Sequence, residues 1–117
     1  MLKTYVGSCH CGAVTFGVDV DLSSVLVCNC SICSRKGYML AFVAADAFRL
    51  TSGENATTDY QFNKKEIHHR FCKVCGVTAF ADGADAGGKK MIAVNVRTLE
   101  EVDLAALTIK HYDGKSS

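Results

Sequence analysis

The distribution of cysteines constrains this chain more than any other feature of its sequence. Seven of the 117 residues are cysteine, and they fall into three clusters. The clusters are C-H-C at Cys9 and Cys11, C-N-C-S-I-C at Cys28, Cys30 and Cys33, and C-K-V-C-G at Cys72 and Cys75. Structural zinc takes four protein ligands, whereas catalytic zinc has three and one open position. Because seven divides into four and three, the first hypothesis is one closed and one open site, with two Zn²⁺ ions per chain.

Other uses of seven cysteines fit this spacing less well. A disulfide framework requires an oxidising compartment and usually an even number of cysteines. No apolar run precedes the first cluster, so no signal peptide is expected. A redox-active C-x-x-C needs a βαβ context, and the residues around Cys72 and Cys75 do not have a helical pattern. We therefore expect metal binding by a protein of the reducing cytoplasm.

Length and composition exclude several classes of protein. A chain of 117 residues with 49% hydrophobic residues predicts one globular domain, residues 1–117. No run approaches the roughly 18 apolar residues of a membrane span. The formal charge is +1, but two zinc ions and seven thiolates would bring it to about −2. Such a chain lacks the basic surface that nucleic acids require, so neither nucleic acid nor a membrane is an expected partner.

Hydrophobic alternation predicts an all-β fold of short antiparallel sheets. Val14, Phe16 and Val18 alternate with smaller or polar residues, which is typical of a strand with one buried face. Further strands are predicted at 24–27, 39–44, 48–51, 57–62, 66–71, 77–81 and 91–96, with turns at 52–55 and 63–65 and a flexible loop at 82–88. Helices are predicted only at 31–36 and 98–104, the second with a capping box of Thr98 and Glu101.

The three clusters and their flanking residues resemble the glutathione-dependent formaldehyde-activating enzyme family, which includes the centromere protein V relatives. The resemblance is carried by G-S-C-H-C-G at 7–12, C-N-C-S-I-C at 28–33 with Arg35, Lys36 and Gly37 after it, F-C-K-V-C-G at 71–76, and more loosely 95–100 and 108–114. It implies a small zinc-stabilised β-tent, similar to Mss4-like proteins.

The resemblance also implies roles for the cysteines. A structural zinc would be shared by the first and last clusters, that is by Cys9, Cys11, Cys72 and Cys75. The catalytic zinc would be held by Cys28, Cys30 and Cys33. The implied activity is that of a carbon–sulfur lyase, S-(hydroxymethyl)glutathione synthase-like, with glutathione, a smaller thiol or a thiol adduct as partner. The alternative is a binding or structural module with a vestigial open site; a methionine sulfoxide reductase-type oxidoreductase ranks last, since it needs a metal-free cysteine.

A zinc ion with three thiolate ligands suits thiols better than water. A zinc ion with three thiolate ligands has a net charge of −1. If a thiol binds as a fourth thiolate, the net charge becomes −2, the same as that of a closed four-cysteine site. The thiolates also donate much charge to the metal, which makes it a weak Lewis acid and disfavours a hydrolase. A free thiol of pKa about 8.5 is only a few per cent ionised at pH 7, so full ionisation is worth roughly 30-fold, about 2 kcal/mol. Orientation of thiol and aldehyde can contribute several kcal/mol more.

For each of the other side chains that could take part in chemistry, a structural role has to be weighed against a functional one. His68 and His69 are adjacent, so only one faces a given side of a strand; it could be a fourth ligand or a proton shuttle, but a packed or solvated histidine is favoured. His10 and His111 are expected to be structural or exposed. Arg35 and Lys36 are the best candidates to anchor a substrate carboxylate, with solvated charge equally plausible. The phenylalanines at strand positions, Phe16, Phe42, Phe71 and Phe80, are expected in the core rather than in a pocket.

Overall fold

The computed structural model describes residues 2–61, 67–84 and 87–113. Within these residues the chain forms ten strands and one α-helix, α1 (Ser31–Lys36). The strands are β1 (Lys3–Ser8), β2 (Thr15–Val20), β3 (Val25–Cys28), β4 (Leu40–Ala44), β5 (Phe48–Ser52), β6 (Thr57–Tyr60), β7 (His68–Cys72), β8 (Thr78–Ala84), β9 (Lys90–Asn95) and β10 (Ile109–Tyr112). The prediction of an all-β fold with a short helix at 31–36 is confirmed. No helix in the described ranges has the length and apolar character needed to cross a bilayer.

The strands form two sheets. One has three strands in the order β1-β2-β5, and the other has seven in the order β10-β3-β4-β9-β8-β7-β6. The pairs are antiparallel as expected, apart from β10, which pairs with β3 in parallel. A parallel pair requires a long connection, and much of the chain lies between these two strands.

Part of the predicted secondary structure is wrong. Instead of a helix at 98–104, the structure has two short 3-10 helices, Val96–Thr98 and Leu104–Ala106. Thr98 does not cap a helix, because its hydroxyl donates back to the Asn95 carbonyl at 2.7 Å. Glu101 has a φ of 58°, which ends any helical run there. Residues 82–84 continue β8 rather than starting a loop. The predicted turn at 63–65 and residues 85–86 of the predicted loop lie outside the described residues.

The hydrophobic core lies between the two sheets. Phe16 of β2, Phe48 of β5 and Phe80 of β8 form an aromatic cluster, with ring centroids 4.6 to 6.4 Å apart. Such pairs contribute about 1 kcal/mol beyond their buried area. The cluster joins the small sheet to the inner face of the large one, and Val18 and Val94 pack in the same core. Phe16 and Phe80 are therefore core residues, as predicted.

The outer face of the large sheet carries a different set of side chains. Strand pairing places Phe42, Ala93, Ala81 and His69 in one row across β4, β9, β8 and β7. Phe42 is 54% exposed, so its expected place in the core is wrong. Its neighbours Ala41 and Val43 point to the core instead, because side chains alternate between the faces of a strand. The residues of this row line one cavity together with Cys28, Cys30 and Cys33.

Candidate metal centres

Two similar turns bring four cysteines together. Cys9 follows β1 and Cys72 ends β7. In the first turn the Cys9 N–H donates to the Val14 carbonyl at 3.0 Å, and in the second the Cys72 N–H donates to the Val77 carbonyl at 3.0 Å. Each turn needs a glycine after its second cysteine. Gly12 has a φ of 83° and Gly76 a φ of 82°, a conformation that costs other residues roughly 1 kcal/mol or more.

The sulfur positions in this group suit zinc. The Sγ atoms of Cys9, Cys11, Cys72 and Cys75 all lie within 4.8 Å of one another. The Cys11 Sγ is 3.7 Å from that of Cys9 and 3.6 Å from that of Cys72. With Zn–S bonds of about 2.3 Å in tetrahedral geometry, neighbouring sulfurs are about 3.8 Å apart. These four residues can therefore hold a closed metal site without rearrangement of the chain.

Backbone N–H groups point at sulfurs of this group and lower the pKa of Cys72 and Cys75. For Cys11 a backbone N–H is outweighed by burial and the neighbouring thiols, which raise its pKa to about 11. The Val14 N–H donates to the Cys9 Sγ at 3.3 Å, and the Val74 N–H donates to the Cys72 Sγ at 3.4 Å. The N–H groups of Val77 and Cys11 lower the pKa of the Cys75 thiol to about 6. Because metals bind thiolates rather than thiols, this arrangement prepares the group for a cation.

The second group is assembled where β3 ends and α1 begins. Cys28 is the last residue of β3, Cys30 occupies the N-cap position of α1, and Cys33 lies within the helix. Gly37 ends the helix in the left-handed conformation, with a φ of 68°, and donates its N–H to the Cys33 carbonyl. The three Sγ atoms lie within 4.8 Å of one another, and no His, Asp, Glu or further Cys of the described residues joins them. The group can hold a metal with three protein ligands.

The protonation of these three thiols is uneven in the metal-free chain. Burial opposes ionisation of Cys30, but the N–H groups of Cys33 and Ile32 outweigh it, so the pKa of Cys30 is lowered. Burial raises the pKa of Cys33, and the neighbouring Cys30 raises it further. Thus Cys30 is the first of this pair to ionise, and a cation must displace the proton of Cys33 to bind all three.

The three-cysteine group lies beside two open cavities that differ in the polar side chains they carry. The first, of about 450 Å³, covers the outer face of the large sheet and has mostly apolar walls that include Leu40, Phe42 and Met91. The second, of about 420 Å³, also has more apolar than polar wall but includes the polar side chains of Asn29 and Arg97, and we call it the polar cavity. Four residues line both cavities, namely Cys28, Cys33, Tyr38 and Tyr112. A molecule in either cavity can therefore reach the cysteine sulfurs.

His69 and Tyr38 form a buried pair beside this group. The Tyr38 hydroxyl lies 3.3 Å from Nδ1 of His69, and their rings are stacked 6.1 Å apart. Burial raises the pKa of Tyr38 to about 12. Burial, with help from Lys36, lowers the pKa of His69. Both groups are therefore neutral at pH 7. His68 faces the other way and pairs with Asp59 at 2.7 Å, so His69 is the histidine beside the open group.

The expected carboxylate anchors are not in the cavities. Arg35 is exposed and donates to the Ser31 carbonyl of its own helix at 2.9 Å. Lys36 donates to the Thr78 hydroxyl at 2.8 Å and lies 5.1 Å from the centre of the Phe71 ring. Neither lines the apolar or the polar cavity. Their side chains are instead occupied by contacts that hold the helix in place.

The basic side chain that lines a cavity beside the cysteines is Arg97, rather than Arg35 or Lys36. It lines the polar cavity, where its Nε donates to the Gly37 carbonyl at 3.0 Å. His111 of β10 lines the same cavity. The sequence places Arg97 directly after a predicted strand, but only the pairing of β4 with β9 shows that this strand ends beside α1. Tyr38 was missed for a similar reason, since nothing in a G-Y-M-L segment distinguishes it from a core tyrosine.

Comparisons with known proteins give a family model and a similar solved structure. A family model described as glutathione-dependent formaldehyde-activating enzyme matches residues 4–113. A crystal structure of a Rhodobacter sphaeroides protein is similar to the fold, with a TM-score of 0.80 and 29% sequence identity. The similarity covers 92% of this chain and 99% of that one. Since the family model spans almost the whole sequence, this chain belongs to the glutathione-dependent formaldehyde-activating enzyme family.

Proposed function

We propose that this protein is a zinc-dependent carbon–sulfur lyase-like enzyme that makes and breaks the bond between a small thiol and an aldehyde carbon. The chemistry would take place at Cys28, Cys30 and Cys33, and glutathione is the first candidate thiol. Cys9, Cys11, Cys72 and Cys75 would hold a second zinc with a structural role. The observation that carries the proposal is the position of the three-cysteine group at two open cavities, in a chain that also has a separate group of four cysteines.

The reaction is an addition without oxidation or reduction. The sulfur of the thiol bonds to the carbonyl carbon, the carbon–oxygen π bond opens, and the oxygen becomes a hydroxyl group. One proton leaves the thiol and one reaches the oxygen, so atoms and charge balance. Cys28, Cys30 and Cys33 would hold a zinc ion with one open coordination position, and such an ion would favour the ionised form of a thiol.

The residues of this chain would orient the two reactants. Arg97 lies in the wall of the polar cavity, where a guanidinium can bind a carboxylate of the thiol. The Tyr38 hydroxyl is buried beside the cysteines and keeps its proton at neutral pH, because burial raises its pKa to about 12. It would exchange its contact with His69 for a hydrogen bond to the adduct oxygen. Orientation of this kind can supply several kcal/mol, more than the roughly 2 kcal/mol from thiol ionisation.

Exchange spectroscopy on glutathione and formaldehyde tests the proposal. The zinc-loaded protein should speed exchange between the free and adduct forms by about tenfold or more over buffer. Cys30→Ser should abolish the acceleration, whereas Arg35→Gln, on the same helix but outside both cavities, should retain it. If wild-type protein gives no acceleration with any thiol and binds none, the binding-module interpretation replaces this one.

A further inference from the structure

The cavity on the outer face of the large sheet is built for a hydrocarbon group. Its walls include Leu26, Leu40, Phe42, Met91 and Ala93. Ile67 lies among the same walls. Phe42 is 54% exposed and Ile67 is 52% exposed, so both leave apolar surface in water until something covers it. Its volume of about 450 Å³ lies within the range of small-molecule sites.

The charges around this cavity disfavour an anionic ligand. None of the described residues that line it is lysine or arginine. The charged residue among them is Asp82, whose carboxylate pairs with Arg70 at 2.8 Å and Lys90 at 3.9 Å. A ligand carboxylate would have to give up its hydration for walls that offer it no cation. The charged parts of a thiol such as glutathione are better matched by the polar cavity, where Arg97 lies.

Formaldehyde has no substituent to place in the apolar cavity. Cys28 and Cys33 line both this cavity and the polar one. An aldehyde with a carbon chain would reach the sulfurs of these cysteines with its carbonyl group and cover the exposed faces of Phe42 and Ile67 with its chain. Each methylene buried in this way is favourable by the ordinary hydrophobic effect.

We infer, on the basis of the proposed function, that the carbonyl substrate of this protein is an apolar aldehyde with a chain of several carbons rather than formaldehyde. The thiol occupies the polar cavity and the aldehyde chain occupies the apolar one. The thiol sulfur adds to the carbonyl carbon, the carbonyl oxygen becomes a hydroxyl group, and the product is the corresponding 1-hydroxyalkyl thioether. No oxidant or reductant takes part.

Binding of unreactive analogues tests the apolar cavity without relying on catalysis. Straight-chain alcohols from ethanol to hexanol are titrated into the zinc-loaded protein, and the methyl signals of Met91 and Ala93 are followed by NMR. Affinity should rise about twofold to fourfold per methylene. An affinity that does not depend on chain length would overturn the inference.

Two substitutions locate the binding surface. Phe42→Ser and Ile67→Ser should each weaken hexanol binding by about fivefold; if one variant fails to fold, the other still decides. The matched control is Val6→Ser on β1 of the other sheet, since Val6 is 54% exposed, like Phe42. The control should bind hexanol as the wild type does. Equal affinities in all three variants would place the alcohol elsewhere and overturn the inference.

Turnover with different aldehydes separates this inference from the proposed function. With glutathione as the thiol and rates corrected for aldehyde hydration, kcat/KM for hexanal should exceed that for formaldehyde by at least tenfold. If formaldehyde is converted as efficiently as hexanal, the inference is wrong and the proposed function stands. If no aldehyde reacts faster than it does with Cys30→Ser, both are wrong.

Discussion

The two cysteine groups of this protein offer the same kind of ligand atom but are assembled from the chain in different ways. In the four-cysteine group, Cys11 and Cys72 are 61 residues apart in sequence and their sulfurs are 3.6 Å apart. In the three-cysteine group, all three residues lie between positions 28 and 33. The first group ties together strands from both sheets, whereas the second is complete within one strand end and one helical turn.

Loop length determines how much each group matters for folding. Closing a loop of about 60 residues costs about 2 kcal/mol more chain entropy than closing one of about five. A metal ion that links the two ends of the long loop therefore adds more to the stability of the fold. The surroundings of the two groups also differ. Cys9 and Cys72 lie in the core, 3% and 1% exposed, although Cys11 of the same group is exposed, whereas Cys28 and Cys33 line two cavities. We therefore propose that the four-cysteine group serves stability and the three-cysteine group serves reactivity.

The largest effect is expected from Cys72→Ser. Structural zinc sites contribute on the order of 10 kcal/mol in zinc-finger peptides, which is comparable with the whole stability of a domain. The variant should lose the closed-site zinc and fail to fold, giving insoluble protein or a chain without a cooperative thermal transition by circular dichroism. Soluble protein with an unchanged Tm would show that this group is not the structural site.

Cys30→Ser should lower stability less than Cys72→Ser does, but it should abolish activity. The variant should lose about one zinc per chain by elemental analysis yet stay folded, with a Tm lowered by about 5–10 °C. Its closed-site zinc should remain. If Cys30→Ser unfolds as readily as Cys72→Ser, the structural and catalytic assignments are wrong or reversed.

A change at the polar cavity should affect only ligand binding. Arg97→Gln removes the guanidinium from the cavity wall and should raise the KM for glutathione about tenfold, with kcat and Tm little changed. Arg35→Gln is the control, because Arg35 lies on α1 but lines neither cavity. Equal KM values for the two variants would remove Arg97 from the binding site.

The sequence predicts the cysteine groups well and their surroundings poorly. Spacing alone separates C-x-C and C-x-x-C pairs from scattered cysteines, and alternation locates most of the strands. The expected helix at 98–104 failed because Leu99 is held in the core and Glu101 takes a left-handed conformation. Both features depend on tertiary contacts, which a local sequence pattern does not reveal.

The cavity residues illustrate the same limit. Phe42 has the pattern of a core residue, and it faces outwards only because Ala41 and Val43 on either side pack inwards. Arg97 comes next to Gly37 through strand pairing, 60 residues apart in sequence. Arg35 was favoured as an anchor for its closeness in sequence to Cys33, but a short helix turns its side chain away from the sulfurs. Closeness along the chain identified the three cysteines that come together and not the residues around them.

X-ray absorption at the zinc edge tests most directly whether the chain holds one closed and one open site. For two zinc ions per chain, the average should be about 3.5 sulfur ligands per zinc near 2.3 Å, with the remainder from a lighter atom. Addition of millimolar glutathione should raise the average to about four, with release of a proton. An average that stays at 3.5, or imidazole scattering from a protein histidine such as His68 or His69, would contradict the account and favour a binding module with a vestigial site.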